Sequence, residues 1–503
     1  MNIFKNNLHV RPVFMAACLA TSFAVVDTAH SAPTFPVCPG INSPVGSGFD
    51  LTQTVWLFDF VANSSSNIIG NPQMLADYEY AVLTNGTAKP SPYYGSDNGN
   101  PKNMTAPGLL KTLGSQLIGG DWTLTWGPGN YELSGSKGKS DNGAFVVYSP
   151  SQDTYVLAIA GTDASAMLDW LNEDFKVGPD FLVKWPLTSQ QATGLPLVLL
   201  PPVTIAKAKV VATDPMISTG TAEGVYFLLT SMVQSHYAPT PTLTLQGYLS
   251  QLPQSKSGTS KLIVTGHSLG GALSPTVANW AQDTLASIDS KWSGHVFAMP
   301  TAGPTPGNAA YAANWDNKFP PCTVTTQSGN IVNSLNTLVY SQWDVVPHAW
   351  QYIYHEFANY YYFYEYVIDT AKTQLGQLTL PHDETTALVG VVSALERVGR
   401  EAGMTAQQNM LEINDATLSP RSAWPIQYLD YNDNIALYQK PPVPFKALHI
   451  ANTPNSPNCP VTDGFLDALA AVHVWGYWSA FNIDLTTVKS ALPVADHLGK
   501  PCN

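Results

Sequence analysis

Residues 262–273 read LIVTGHSLGGAL. An apolar, β-branched run enters Gly266-His267-Ser268-Leu269-Gly270, and a third glycine, Gly271, follows at once. The run suits a short strand buried on both faces, and LGGALSPTVANWAQDTLASI (269–288) reads as a helix. A serine between strand and helix, with small residues two positions away on either side, fits a sharp strained turn that lifts its hydroxyl out of the sheet. The helix that starts there aims backbone N–H groups and its positive dipole end at any nearby oxyanion. An ordinary strand-to-helix turn is the bland alternative. Strand before, helix after and Gly271 for close packing favour a nucleophile.

Working outward, KLIVT (261–265), HVFAM (295–299) and NTLVY (336–340) predict short buried strands, the latter two each followed by a loop. GAFVVYSPSQDTYVLAIAGTD (143–163) predicts a hairpin about SPSQD, and TAEGVYFLLTSMVQSHY (221–237) a helix. Residues 33–50, rich in Pro, Gly and Ser, read as a loop. Residues 179–206 are apolar but contain five prolines, which exclude a single helix. QYIYHEFANYYYFYEYVI (351–368) is crowded with aromatics, and Leu388, Val391, Val392, Leu395 and Val398 recur at helical spacing. Strands alternating with helices predict an α/β fold with a mostly parallel central sheet. Residues 350–445 are expected to be a mainly helical, cap-like insertion with a proline-rich exit, QKPPVPF.

The chain has 503 residues, 45% hydrophobic and 12% charged, with a net charge of −13. That composition argues against disorder and lacks the basic footprint of a nucleic-acid binder. Its first 31 residues have the layout of a secretory signal peptide: Lys5 and Arg11, the apolar run PVFMAACLATSFAVV (12–26), then small residues in TAHSA. Cleavage is expected after Ser31, leaving one domain over 32–503. A membrane anchor or a lipid-modified Cys18 are the alternatives, and the apolar run is short for both. Removing 1–31 leaves Cys38, Cys322, Cys459 and Cys502, an even set in an exported chain and so up to two disulfides of open pairing. Their wide spacing argues against zinc. Asn63, Asn85 and Asn103 head Asn-x-Ser/Thr sequences, relevant only in a host that glycosylates.

A nucleophilic serine needs a base, and the base an orienting acid, in the chain order Ser, Asp or Glu, His. Asp344, in the loop after the strand at 336–340, stands where a carboxylate reaches the carboxyl edge of a parallel sheet; a solvated loop aspartate is the bland reading. His348 is too close in sequence to Asp344 to swing back against it. His473, at a late amphipathic stretch (AAVHVWGYWSAF), is the favoured base, with His497 and His449 as fallbacks.

These segments resemble the class 3 lipases, a branch of the α/β hydrolases. LIVTGHSLGGALS is similar to the family's nucleophile motif, YVLAIAGTDASAMLDWLNEDF (155–175) to its oxyanion strand and lid, FAMPTAGPTPGNAAY (297–311) to its Phe-Gly-x-Pro-x-x-Gly-Asn loop, WDVVPH (343–348) to its acid loop and HVWGY (473–477) to its base motif. The resemblance implies Ser268 as nucleophile, His473 as general base and Asp344 as its orienter. It implies the backbone N–H groups of Thr162 and Leu269 as the oxyanion hole, and Trp170 as the lid tryptophan. It implies no metal and no cofactor. Ala160 departs from the pattern, since the family has arginine there. The implied activity is secreted carboxylester hydrolysis, with acylglycerols the foremost substrate and a phospholipase or acyltransferase as the alternative. A non-catalytic binding protein would require a lost triad position. The lid or insertion at 163–206 and the aromatics of 351–368 would line an acyl groove at a lipid–water interface, unless both are simply core.

Overall fold

A computed structural model of the chain describes residues 35–41, 48–65, 68–84, 109–110, 118, 121–133, 138, 140–161, 181–189, 195–206, 209–327, 330–341, 346–347, 410–413, 473 and 476–483. The chain divides into the compact units Met1–Phe35 and Pro36–Asn503. The expected leader, residues 1–31, lies outside the described residues.

Among the described residues, eight strands form the central sheet: β1 (Thr123–Tyr131), β2 (Asn142–Ser149), β3 (Thr154–Ile159), β4 (Val233–Gln234), β5 (Lys261–His267), β6 (Val296–Thr301), β7 (Leu338–Ser341) and β8 (Met410–Ile413). Their order is β8-β7-β6-β5-β3-β2-β1-β4. Strands β3, β5, β6, β7 and β8 run parallel, whereas β2, β1 and β4 pair antiparallel at one end. Every residue of β5 is buried, as its unbroken apolar run predicts for a central parallel strand. Gly266 stands opposite Ile159 of β3 and Pro300 of β6, so the three strands end level at one carboxyl edge.

The pleat sends alternate side chains to opposite faces, and each face has its own core. Phe145, Val156, Ile263, Phe297 and Met299 pack on one side with α1 (Leu51–Ala62) and with Tyr477, Trp478 and Phe481. Val146, Leu157, Val264 and Ala298 pack on the other with α3 (Thr219–Thr230), α4 (Leu269–Ile288) and α5 (Ala309–Lys318). This is the expected α/β-hydrolase architecture, a mostly parallel sheet between helical layers.

Helix α1 has no counterpart among the sequence expectations. All twelve of its residues are buried, so it lacks the amphipathic stripe by which a surface helix is recognised. Asp50 caps it: its carboxylate accepts from the Gln53 N–H at 3.0 Å while the Gln53 side chain accepts from the Asp50 N–H at 3.0 Å. The same Gln53 donates to the Phe481 carbonyl at 2.8 Å, tying the start of α1 to the end of the described chain.

One expectation is corrected. The helix read over 221–237 stops at Thr230, and Val233–Gln234 becomes β4 against Gly129 and Asn130 of β1. A free sheet edge outcompetes further helical turns there. The proline-broken 179–206 segment, as expected, is not one helix: Leu182–Lys184 pairs with Met216–Ser218, and Thr188–Ser189 with Val198–Leu199. Within the expected mainly helical insertion 350–445, Met410–Ile413 is a strand that extends the parallel sheet; the rest of that segment lies outside the described residues.

The open cysteine pairing resolves in part: Cys38 is bonded to Cys322, 284 positions away. Both are buried, and the Cys38 N–H also donates to the Thr323 carbonyl at 2.8 Å. Cys459 and Cys502 lie outside the described residues. Glu79, on α2 (Pro72–Thr84), is a second internal constraint. Its carboxyl is wholly buried beside β1, accepting from the Ser65 hydroxyl at 2.5 Å and the Asn130 amide at 3.1 Å. Burial pushes it up to about 8 despite those two bonds.

Two measurements check these constraints. Replacing Cys38 and Cys322 together with serine should lower the denaturant-derived unfolding free energy by about 2–5 kcal/mol; an unchanged value would mean the bond does not form. The folded chain holds the Glu79 proton to higher pH than the unfolded chain, so stability should fall as pH rises from 4.5 towards about 8 and level off above. Glu79→Gln should flatten that slope; the same slope in both proteins would show that Glu79 is not its source.

Candidate active site

The turn between β5 and α4 holds Ser268 at φ 59° and ψ −123°. A side-chain-bearing residue at positive φ is strained by about 1–3 kcal/mol, and close backbone packing holds it there. A Cβ on Gly266 would stand 2.2 Å from the Gly270 carbonyl oxygen, and one on Gly270 2.4 Å from that of Ile159. Only glycine at both motif positions lets the strand fold back this tightly onto the helix. The Ser268 N–H donates to the Thr301 carbonyl at 3.1 Å, and the Ser268 carbonyl accepts from Gly271 N–H at 2.8 Å. Although Ser268 occupies the N-cap, its side chain makes no cap hydrogen bond. The hydroxyl is thus held at the mouth of the turn without being consumed by it.

Leu269 is the first residue of the twenty-residue α4. Its N–H belongs to the first turn, where no helical carbonyl is in register to accept, and the dipole of so long a helix favours negative charge at that end. Gly161, which follows β3, lies across the turn: a Cβ on it would be 2.6 Å from the His267 carbonyl oxygen and 3.0 Å from the Ser268 Cβ.

His473 is buried, its ring centroid 4.6 Å from that of His267, the residue before Ser268. Sequence reasoning passed over His267 as the variable position of the motif. Its Nδ1 lies 2.9 Å from Thr301 Oγ1, and its ring meets Trp56 at 5.3 Å and Tyr477 at 5.2 Å. Burial first, and the neighbouring His473 second, hold the His267 imidazole well below the usual histidine range, so it stays neutral and packs as part of the wall.

Two polar residues of the α1 region also went unrecognised as site elements. Asp59 is wholly buried and accepts from Thr301 Oγ1 at 3.4 Å. Burial drives its carboxyl well above the usual range, partly offset by Thr301 and the His267 N–H. Asn63, read only as a possible glycan acceptor, sends its Oδ1 to the Gly161 N–H at 2.7 Å and its Nδ2 to the Asp59 carbonyl at 2.9 Å. An apolar sequence such as WLFDFVANS carries no signal of either contact.

Ser268 and Leu269 thus stand at the carboxyl edge of the sheet, and His473 packs against the ring of the preceding residue, His267. Thr162, Asp344 and Trp170 lie outside the described residues, as do His348, His449 and His497. The flanking chain is described: β3 leads through Gly161 towards Thr162, and β7 ends at Ser341, three positions before Asp344. Of the expected lid at 163–206, Val183, Trp185, Leu187 and Leu199 are core, and Leu182 is buried. The Leu195 carbonyl accepts from Ser287 Oγ at 3.1 Å, nineteen residues along α4 and so roughly 28 Å from Ser268. That part of the segment lies at the far end of the helix.

With this geometry in hand, comparison with known proteins is informative. The family profile for lipase (class 3) matches residues 214–351, a span that takes in the Ser268 turn and Asp344 but neither Thr162 nor His473. No curated protein matches the chain. Among solved structures, M37 lipase aligns at 19% identity over 89% of this chain and 100% of its own, with a TM-score of 0.48. Lipase II from Rhizopus niveus aligns at 17% identity over 45% of this chain and 60% of its own (TM-score 0.27). A triacylglycerol lipase from Penicillium expansum aligns at 18% over 45% and 63% (TM-score 0.26). The segment that carries the strained serine, residues 214–351, is thus similar to the lipase (class 3) family.

Proposed function

We propose that the chain is a secreted serine carboxylester hydrolase that cleaves acylglycerol esters through an acyl-enzyme. The carrying observation is the strained Ser268 at the head of α4 with the buried His473 ring packed beside its neighbour His267. In this reading His473 takes the proton as Ser268 Oγ attacks the ester carbonyl. The oxyanion is met by the N–H groups of Leu269 and Thr162, and Asp344 orients the imidazole. His473 then returns the proton to the departing alcohol, and water repeats the sequence on the acyl-enzyme.

The disulfide between Cys38 and Cys322 supports export to an oxidising compartment, consistent with a leader over residues 1–31 that is removed after Ser31. A lipid–water interface is the proposed place of action. Residues near Leu195 stand at the far end of α4 from Ser268, so that part of the 163–206 segment does not cover the site.

A panel of p-nitrophenyl esters of increasing acyl length, assayed below and above the aggregation point of each ester, tests the reaction and the substrate class together. Turnover rising with chain length and jumping at aggregation is the expected result. Preference for phosphatidylcholine vesicles would reassign the substrate to phospholipids, and absence of hydrolysis on every ester would refute the reading. Ser268→Ala and His473→Ala should each lower kcat by at least about 10⁴-fold while leaving the circular dichroism spectrum unchanged. Retained turnover in the first would remove the nucleophile. Loss in His497→Ala with retention in His473→Ala would move the base.

A further inference from the structure

The geometry points to Asn63 as a positioning residue that braces the oxyanion loop from beneath, an inference resting on the hydrolase reading above. The chain has Ala160 where the class 3 lipases carry arginine, so the loop after β3 lacks that support. Asn63 occupies the place where support is needed. It follows the last residue of α1, and its Oδ1 accepts from the Gly161 N–H at 2.7 Å, one peptide before Thr162.

The carboxamide cannot turn away without losing both ends of its contact. Its Nδ2 donates to the Asp59 carbonyl at 2.9 Å, one helical turn back. The Asp59 side chain in turn meets Thr301 Oγ1, and Thr301 meets His267 Nδ1. Asn63 is therefore coupled to both sides of the hole: through Gly161 to the strand that would present the Thr162 N–H, and through Asp59 and Thr301 to the residue before Ser268.

The space confirms how tightly Gly161 is held. A Cβ placed on it would be 3.2 Å from Asn63 Oδ1 and 2.6 Å from the His267 carbonyl oxygen. The glycine is clamped between the side chain of Asn63 and the nucleophile turn. A fixed donor needs no reorganisation when charge develops on the substrate oxygen, and that is the source of its catalytic value. The contribution of Asn63 should appear in the transition state and not in substrate binding.

Steady-state kinetics of Asn63→Ala on a p-nitrophenyl ester should show kcat reduced by about 10- to 100-fold with KM within about twofold, less than the roughly 10²–10³ lost with an oxyanion donor itself. A boronic acid, which forms a tetrahedral adduct, should bind the variant correspondingly more weakly. Asn63→Asp keeps an acceptor for the Gly161 N–H but loses the donor to the Asp59 carbonyl, so its kcat should fall between those of the alanine variant and the parent. If the alanine variant does not fold, Asn63→Ser, too short to reach Gly161 but still polar at the helix end, takes its place. Parent-like kcat and boronate affinity in a folded alanine or serine variant would overturn the inference, as would equal losses in the aspartate and alanine variants. Hydrogen exchange of the Gly161 amide reads the brace without turnover and should accelerate in Asn63→Ala but not in Asn63→Asp; unchanged exchange in the alanine variant overturns the brace. Turnover surviving in Ser268→Ala would instead sink the hydrolase reading, leaving the exchange measurement to judge Asn63 by itself.

Discussion

The contact on which the rest depends is the approach of two stretches of backbone at Gly266 and Gly270, so close that a single added carbon at Gly266 would stand 2.2 Å from a carbonyl oxygen. This approach holds Ser268 at φ 59°, turns the chain from a buried strand into a twenty-residue helix and leaves the hydroxyl free of capping duty. The strain, about 1–3 kcal/mol, persists because the surrounding strands over-determine it. Strands β3 and β6 clamp β5 in register along its length. Gly161 and the Thr301 carbonyl then seal the turn from either side.

Helix α1 supplies the other half of that clamping. A helix buried on every side forfeits the solubility advantage of a polar face, and here it gains contacts to three separate parts of the site. Gln53 reaches the Phe481 carbonyl, Trp56 stacks on Phe481 at 4.9 Å and meets the His267 ring, and Asp59 and Asn63 reach the nucleophile turn and Gly161. The region of the chain that carries His473 is thus held by the same helix that supports the serine.

How much of this could be read from the sequence follows from where the physics is local. The nucleophile turn was legible because its chemistry is written in adjacent residues, and α4 runs over Leu269–Ile288 as its pattern predicts. The hairpin about SPSQD was legible for the same reason. What escaped depends on contacts distant in the chain. LTQTVWLFDFVA has no helical period because every side of α1 is covered. The overrun past Thr230 came from trusting periodicity where β1 offered an edge to pair with. Asn63 and Asp59 become meaningful only beside Gly161 and Thr301, which no spacing rule connects to them.

The most direct test is to treat the protein with a long-chain alkyl p-nitrophenyl phosphonate and map the adduct by peptide mass spectrometry. An activated serine under a preorganised oxyanion hole should release one p-nitrophenol per chain and carry the phosphonyl group on Ser268 alone. A chain that stays unmodified, or one labelled at another residue, would contradict the account.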